Sequence, residues 1–581
     1  MANFYRDGRD LRFQMAHADW ARIVPLLEDD FALASEGGPS NLEEAREMHE
    51  AVLDMVGQIA AEVVAPTAAD VDAEGARLID GRVHYAAATD RHMAALKEAG
   101  LFGFCIERRF GGQNLPATLY TASVELVSRG CASLMNLYAL QACGETIQRF
   151  GSEDLKRRFV PGIAAGDLTC CMALSEPNAG SALGSVATTA TPVDEARGLY
   201  RLDGSKVFST NGGGDLLLVL ARTESGSNDA RGLSLFAVPR SSGVVVTKLE
   251  EKLGIHGSPT AVLHLDGAEG YIVGQRRRGL VTYVMSLIHG ARLEVAAQAI
   301  GIAQGALSAA ARYVGERRQF GHAIEDFAPV RQQVLDMEVS LQASRNLAYR
   351  AAQVLDRLHG VQAMLARRPS DPRAASWSEE QRRLERLENI LTPLVKYWAA
   401  EACNSACYRA LQVHGGYGYV RDYGIERHVR DVRVTSLYEG TSEIQVGGIV
   451  GLIASGGLEE ILAEILPRGV DAASDPEGAA YLTAGIEATR KAAAHLASNA
   501  ADKDLVQLRA KPMADMLADV VAGAEFLRHA PLEDAWPGKR AVAAAFLKEA
   551  SLRWPKHLDT IVSGDRTALD RFGDVIAPYR A

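Results

Sequence analysis

The feature that most constrains the fold of this chain is a change of hydrophobic period near Thr169 that reverses near Gly279. Before it, apolar residues recur at helical spacing over Met48 to Ala65, His92 to Gly100, Leu119 to Gly130 and Leu134 to Phe150. Asn41 is placed to cap the first of these helices, with Glu43 and Glu44 in its first turn. After Thr169 the helical stripe disappears. Ser185 to Ala190 is small and β-branched, and Leu216 to Leu220, Leu233 to Val238 and Val244 to Val246 are short β-type runs separated by Gly, Pro and Asp. Such spacing predicts a small β barrel or sandwich. Long helical patterns return from Gly279 to about Gly451, broken at Arg367 to Ser378 by loop chemistry, Arg-Arg-Pro-Ser-Asp-Pro-Arg. The expectation is a mostly α protein with a central β domain.

At 581 residues the chain exceeds one ordinary core. The predicted divisions are an arm at 1–40, a helical domain at 41–167, a β domain at 168–278, a helical domain at 279–455 and a helical extension at 456–581. In the arm, Asp19 to Leu27 is expected to hold a short helix despite Pro25, and Glu36 to Ser40 reads as a linker. The extension is alanine-rich, with helical period over Ile486 to Ala497 and Lys511 to Leu527. It is divided by Pro531, Pro537 and Pro555 and carries no catalytic motif. A net charge of −11 argues against a nucleic-acid footprint. No uninterrupted apolar run is expected to span a membrane, and the N-terminus lacks the apolar core of a secretion signal. Seven cysteines in so long a chain do not make a disulfide framework, and Cys403 and Cys407 are expected to be core residues rather than metal ligands. A soluble, cytoplasmic protein without a metal is the expectation.

Chemistry concentrates in a few blocks. Ser436-Leu437-Tyr438-Glu439-Gly440-Thr441-Ser442-Glu443-Ile444-Gln445 sets one carboxylate, Glu439, between an aromatic and a glycine. The glycine lets backbone bend freely beside a ligand, and a general base needs contact distance before its pKa matters. Taken alone, the segment is an ordinary turn. Upstream lie Gln412-Val413-His414-Gly415-Gly416-Tyr417-Gly418-Tyr419, Ile425-Glu426-Arg427 and Arg430-Asp431-Val432-Arg433. Earlier blocks are Ser175 to Ser181, Gly204-Ser205-Lys206-Val207-Phe208-Ser209-Thr210-Asn211-Gly212 and Glu316-Arg317-Arg318-Gln319-Phe320-Gly321. No strand–Gly-x-Gly-x-x-Gly–helix unit occurs, so a dinucleotide would not sit on a Rossmann turn.

In order and rough spacing these blocks resemble the acyl-CoA dehydrogenase family of flavoproteins, over roughly residues 45 to 455. The arm and tail further resemble the long branch of that family, which includes 3-methylmercaptopropionyl-CoA dehydrogenases. The resemblance implies a helical domain closed by a short helix near 151–167, a small β barrel and a four-helix bundle. It also implies FAD-dependent desaturation of an acyl-CoA thioester to the trans-2-enoyl-CoA. Glu439 would abstract the α-proton, and its own amide would be half of the oxyanion site. Some relatives carry the base just before an arginine on another helix. Here that position is Ala291, before Arg292, and alanine cannot take a proton.

The resemblance places Met172, Ser175, Ser181, Phe208 and Thr210 around the flavin ring, with Phe208 where shorter members often have Trp. Arg317, Gln319, Phe320, Gln412 and Gly416 match contacts to the dinucleotide made across a subunit boundary, and Thr441 and Glu443 match positions near its diphosphate and ribose. Ser181, Arg292, Tyr438 and Gly440 match the substrate side. Ala182 replaces a common Asp, and Phe327-Ala328 replaces a common Phe-Gln. The implied partners are acyl-CoA, an electron-transferring flavoprotein and a second copy of the chain in a homodimer, whose tail covers a surface that shorter relatives use to form tetramers. An oxygen-using acyl-CoA oxidase and a non-catalytic scaffold are the rival functions, and membrane docking is the rival role for the tail. The acyl group is left open, with helices near 130–145 and 280–292 expected to line its pocket.

Overall fold

The computed structural model describes residues 2–241, 243–466 and 475–580, so that residues 467–474 of the predicted extension lie outside the described residues. The chain opens with two short helices, α1 (Arg9–Ala16) and α2 (Trp20–Leu27), the second formed despite Pro25. Helix α3 (Leu42–Ile59) starts where a cap is expected. The Asn41 side chain accepts from Glu44 N at 3.0 Å, and the Glu44 carboxylate returns to Ser40 N at 2.7 Å. There follow α4 (Ala68–Glu74), a hairpin of β1 (Arg77–Ile79) and β2 (Arg82–His84), and α5 (Ala87–Glu98). Helices α6 (Ala117–Gly130), α7 (Ala132–Tyr138), α8 (Ala142–Phe150) and α9 (Glu153–Ala164) complete this helical region, the last capped by the Ser152 hydroxyl. The hairpin carries only three residues per strand, too few for a period-two signal to show.

The sheet region runs from β3 (Cys170–Ala173) through β4 (Thr189–Asp194), β5 (Leu199–Ser209), β6 (Leu216–Arg222), β7 (Leu233–Pro239) and β8 (Val244–Leu249) to β9 (Ala261–Val273). Strand β4 pairs β5, β5 pairs β9, β9 pairs β7 and β7 pairs β6, all antiparallel. The single pair Thr189↔Arg222 joins β4 back to β6, which closes a small barrel. Strand β3 lies parallel against β6, so Met172 stands beside Leu218 on the outside of that ring. Leu202, Leu217, Val219, Phe236 and Leu263 fill one side of the sheet.

Helices α10 (Met285–Glu316), α11 (Ala328–Arg367) and α12 (Ala374–His414) form the long bundle, with a small β10 (Arg318–Gln319)–β11 (His322–Ala323) hairpin after α10. The break between α11 and α12 is shorter than its loop-like sequence suggests. The Asp371 carboxylate accepts from Arg373 N, and helix resumes at Ala374. Helices α13 (Ile425–Arg433) and α14 (Ser442–Leu452) follow, then α15 (Leu458–Ile465), α16 (Pro476–Ser498), α17 (Lys503–Leu508), α18 (Ala510–His529) and α19 (Pro537–Val562). Pro537 opens α19 as expected, but Pro555 lies inside it and does not divide the extension. By length and hydropathy two helical stretches, Leu42–Glu74 and Ser442–Ile465, could cross a membrane, although charged residues interrupt both. In this fold each contributes a face to a core: Leu53 and Val56 from the first, Val446, Ile449 and Val450 from the second.

The extension shares one apolar cluster with the bundle, and the arm is no loose strap. Arg345 of α11 is 2% exposed and pairs with Glu125 of α6 at 2.7 Å and with Asp10 of α1 at 3.2 Å; Lys539 of α19 reaches the other Asp10 oxygen at 2.6 Å. Arg350–Glu525 and Arg357–Glu464 repeat the device along α11. Buried pairs of this kind add little net stability but penalise any other register, because an unpaired buried charge is expensive. Cys403 and Cys407 are buried in the bundle core.

Candidate active site

Glu439 sits in the turn between α13 and α14, and its backbone is unusual. Its φ is +53° and that of Gly440 is +94°, two consecutive left-handed residues. The first is uncommon for a side chain with Cβ and persists only where neighbours hold it. Gln445 Nε2 donates to the Glu439 carbonyl at 2.8 Å and to the Gly440 carbonyl at 3.1 Å; Lys396 Nζ, buried in α12, donates to the Gly440 carbonyl at 2.6 Å. The φ of Gly440 favours glycine, and a Cβ there would stand 2.6 Å from Gln445 Nε2 and displace the amide that pins the turn. Thr441 caps α14 by accepting from Ile444 N.

This turn presents Glu439 and Tyr438 to a cavity bounded by α7, α8, α10 and the end of β3. Met172 and Thr210 line the same cavity, and Met172 N donates to the Thr210 carbonyl at 3.3 Å. The Tyr438 hydroxyl donates to Gln298 Oε1, while Gln298 Nε2 donates to Asn136 Oδ1 at 2.8 Å, which fixes the wall on the α7 side. Burial raises the Glu439 carboxyl above the ordinary carboxylate range, and the Lys396 ammonium and Arg292 guanidinium pull it partly back. Burial likewise brings Lys396 down to about 8. The arrangement is that of a tunable proton acceptor: burial makes the carboxyl more basic, and the two nearby cations oppose that rise. Burial lowers the pKa of the Arg292 guanidinium, Glu439 and Glu388 oppose that shift, and its Nε has no partner among the described residues.

The Ser175–Ser181 loop is held by Glu176. Its carboxylate accepts from Ala187 N at 2.8 Å, Thr188 N at 3.0 Å and the buried Lys206 ammonium at 2.7 Å. The Ser175 carbonyl accepts from Val207 N at 2.9 Å, which ties this loop to the end of β5. There Phe208 stands 67% exposed at φ +54°. Ser181 is exposed and does not line the cavity.

A second group lies at the far ends of α10 and α12. Arg317 stacks its guanidinium over Tyr417 at 5.0 Å and makes no ion pair among the described residues. Phe320 is 91% exposed, Gln319 and Gln412 are exposed, and a Cβ on Gly415 or Gly416 would meet nothing within 4 Å. Among the described residues no hydrogen bond, ion pair or ring contact joins this group to the Glu439 cavity. Thr441 is half-buried as the α14 cap, and Glu443 is exposed beside it. Exposed aromatic plates, an uncommitted guanidinium and an open glycine cradle fit a large, flat, anionic group such as the flavin dinucleotide implied by the sequence. Lys396, Gln298 and Asn136 were not singled out by the sequence reading. They sit mid-helix with no local motif. Gln445 ends the Glu439 block and could have been found there.

Comparison with known proteins gives a consistent match. The acyl-CoA dehydrogenase N-terminal, middle and C-terminal domain models match residues 46–167, 171–268 and 293–443. The chain is 31% identical over 479 residues to 3-methylmercaptopropionyl-CoA dehydrogenase of Ruegeria pomeroyi, covering 76% of this chain and 75% of the relative. It is 33% identical over 362 residues to the caffeyl-CoA reductase-Etf complex subunit CarC of Acetobacterium woodii, covering 61% and 87%. In fold it matches an acyl-CoA dehydrogenase complexed with FAD from Bacillus anthracis at a TM-score of 0.75 and 22% identity, over 93% of this chain and 91% of that one.

Proposed function

The chain belongs to the acyl-CoA dehydrogenase family, and on that premise we propose that it desaturates an acyl-CoA thioester between Cα and Cβ to the trans-2-enoyl-CoA, with Glu439 as the base. The observation that carries the assignment is the Glu439–Gly440 turn, pinned by Gln445 and Lys396 so that the carboxylate faces an apolar cavity shared with Met172 and Thr210. FAD, when bound, supplies the hydride acceptor. Met172, Ser175, Ser181, Phe208 and Thr210 would hold its ring, with Thr441 and Glu443 beyond. Arg317, Gln319, Phe320, Gln412 and Gly416 would hold its remainder from a second copy of the chain, in keeping with their separation from the cavity.

An α-proton becomes acidic only as charge develops on the thioester oxygen, so stabilising that oxygen matters most. The Glu439 amide, in the left-handed turn, would take that role, and the Glu439 carboxylate would receive the proton. Tyr438, Arg292, Gly440 and Ser181 complete the substrate side. Arg292 and Lys396 favour the ionised form of Glu439 against an enclosure that drives it toward the neutral form. Electron-transferring flavoprotein is the proposed acceptor; support comes from the relative named as part of an Etf complex. An oxidase and a non-catalytic scaffold are the alternatives.

Purified protein is expected to be yellow and to reduce ferrocenium with at least one member of an acyl-CoA panel. The reduced flavin should reoxidise slowly in air and rapidly with electron-transferring flavoprotein. A colourless protein would favour the scaffold, and fast reoxidation in air the oxidase.

A further inference from the structure

The cavity at Glu439 has a neighbour. Ala142, Leu287 and Glu294 also line a second hollow, bounded by α8, the first turns of α10 and the middle of α11. Tyr120, Leu293 and Leu355 give this hollow apolar walls, and a Cβ on Gly290 would meet nothing within 4 Å. Two carboxyl groups interrupt the walls. Glu294, one turn beyond Ala291 on α10, is only 7% exposed and lines both cavities. Glu145 of α8 lines the second. Among the described residues no hydrogen bond or ion pair engages either side chain. The nearby cation is already committed. Arg149 donates to Ser286 Oγ at 3.1 Å and to Gln362 Oε1 at 2.9 Å, and faces His359 Nε2 at 2.9 Å.

Glu294 is buried and Glu145 half-buried, and a buried carboxyl without a partner is rare because its desolvation is uncompensated. Burial, the neighbouring Glu145 and then Glu439 push Glu294 well above the ordinary carboxylate range; burial pushes Glu145 up to about 7, against the pull of Arg149. A methyl-ended acyl chain lying past Glu439 would keep both groups dry and unpaired. A carboxylate-ended chain would bury its charge with no free cation to receive it, Arg149 being committed. A chain carrying a hydroxyl or ammonium would satisfy them. We infer that the acyl group this protein acts on bears a hydrogen-bond donor beyond Cβ, received by Glu294 and Glu145, so that Glu294 is a specificity-determining residue. The inference rests on the reading of Glu439 as the reacting end of the cavity. The order along the cavity is then Glu439 at Cα, Glu294 next, and Glu145 farthest, since Glu294 alone of the three lines both hollows.

The test is kcat/KM of the holoenzyme, with ferrocenium as acceptor, for a straight-chain acyl-CoA series and its ω-hydroxy, ω-amino and ω-carboxy counterparts. At the chain length that reaches Glu294, a donor-ended chain should exceed its methyl-ended partner by about tenfold or more, as a hydrogen bond to a charged or buried carboxyl allows. Preference for ω-amino over ω-hydroxy identifies the donor as a cation, and the reverse identifies it as neutral. Glu294→Leu should abolish the preference in favour of the methyl-ended chain, and Glu294→Gln should spare the ω-hydroxy chain more than the ω-amino one. Methyl-ended chains turning over best at every length, with a ratio unmoved by Glu294→Leu, would overturn the inference while leaving the desaturation intact. If no acyl-CoA of any class bleaches the flavin, the reaction assignment fails and the inference falls with it.

Discussion

Replacing Lys396 with methionine separates two roles that one ammonium performs. Lys396 Nζ is buried, donates to the Gly440 carbonyl at 2.6 Å and opposes the burial that raises the Glu439 carboxyl. Methionine keeps the apolar stem and removes charge and donor together. A nearby opposite charge shifts a carboxyl by roughly one to three pKa units, and with Arg292 retained the lower figure applies. A base must be ionised, so kcat/KM falls as pH drops through the raised Glu439 pKa. Without Lys396 that pKa rises further, and the acid limb moves to higher pH by about one unit, which is roughly tenfold in rate on the limb. Lys396 itself is brought down to about 8, so above that pH its charge is lost and the two profiles should converge apart from any constant offset. The offset reports the donated bond, worth about 1.5–3 kcal/mol for a charged donor, reduced by the relief of a buried charge. The assay is kcat/KM against pH with ferrocenium. An acid limb that stays in place refutes the electrostatic role, whatever the plateau does.

Arg317→Ala should weaken FAD retention by about 1.5–3 kcal/mol while leaving the fold intact, read by fluorescence of released flavin. In mixed dimers with Glu439→Gln chains, some sites of full strength should appear if Arg317 acts across the subunit boundary, and none if it acts within its own chain. Asp10→Ala strands Lys539 in the core, while Arg345 keeps Glu125, and should lower unfolding free energy by about 3–5 kcal/mol; limited proteolysis should then release the arm and α19 together. Light scattering of the intact protein should give a homodimer mass; a tetramer would remove the proposed covering role of the extension.

The three-part division was legible because period is a local property: a helix stripe and a short β run each announce themselves within ten residues. The turn at Glu439 was legible because Tyr-Glu-Gly-Thr and its neighbours are contiguous, and the glycine that follows suits the left-handed backbone found there. Barrel closure through the one pair Thr189↔Arg222 left no mark, since a single bridge has no pattern. Lys396 stayed hidden because a lysine in mid-helix reads as a solvated face until Gly440, forty-four residues on, folds over it. Asp10 with Lys539 is harder still, at a separation of 529 residues. Glu294 sat three residues from the Ala291 that was inspected as an alternative base, and one helical turn places it in the cavity that Ala291 lines.

The central claim is that Glu439 removes the α-proton, and anaerobic stopped-flow reduction of the bound flavin in Glu439→Gln tests it most directly. The substitution keeps the shape of the side chain and the amide of the turn, so FAD content and acyl-CoA binding should be retained. Flavin bleaching by a substrate competent with the parent protein should slow by roughly 10²–10⁴-fold, the range of a lost general base. Bleaching at nearly the parent rate would contradict the account and move the base to another residue of the cavity.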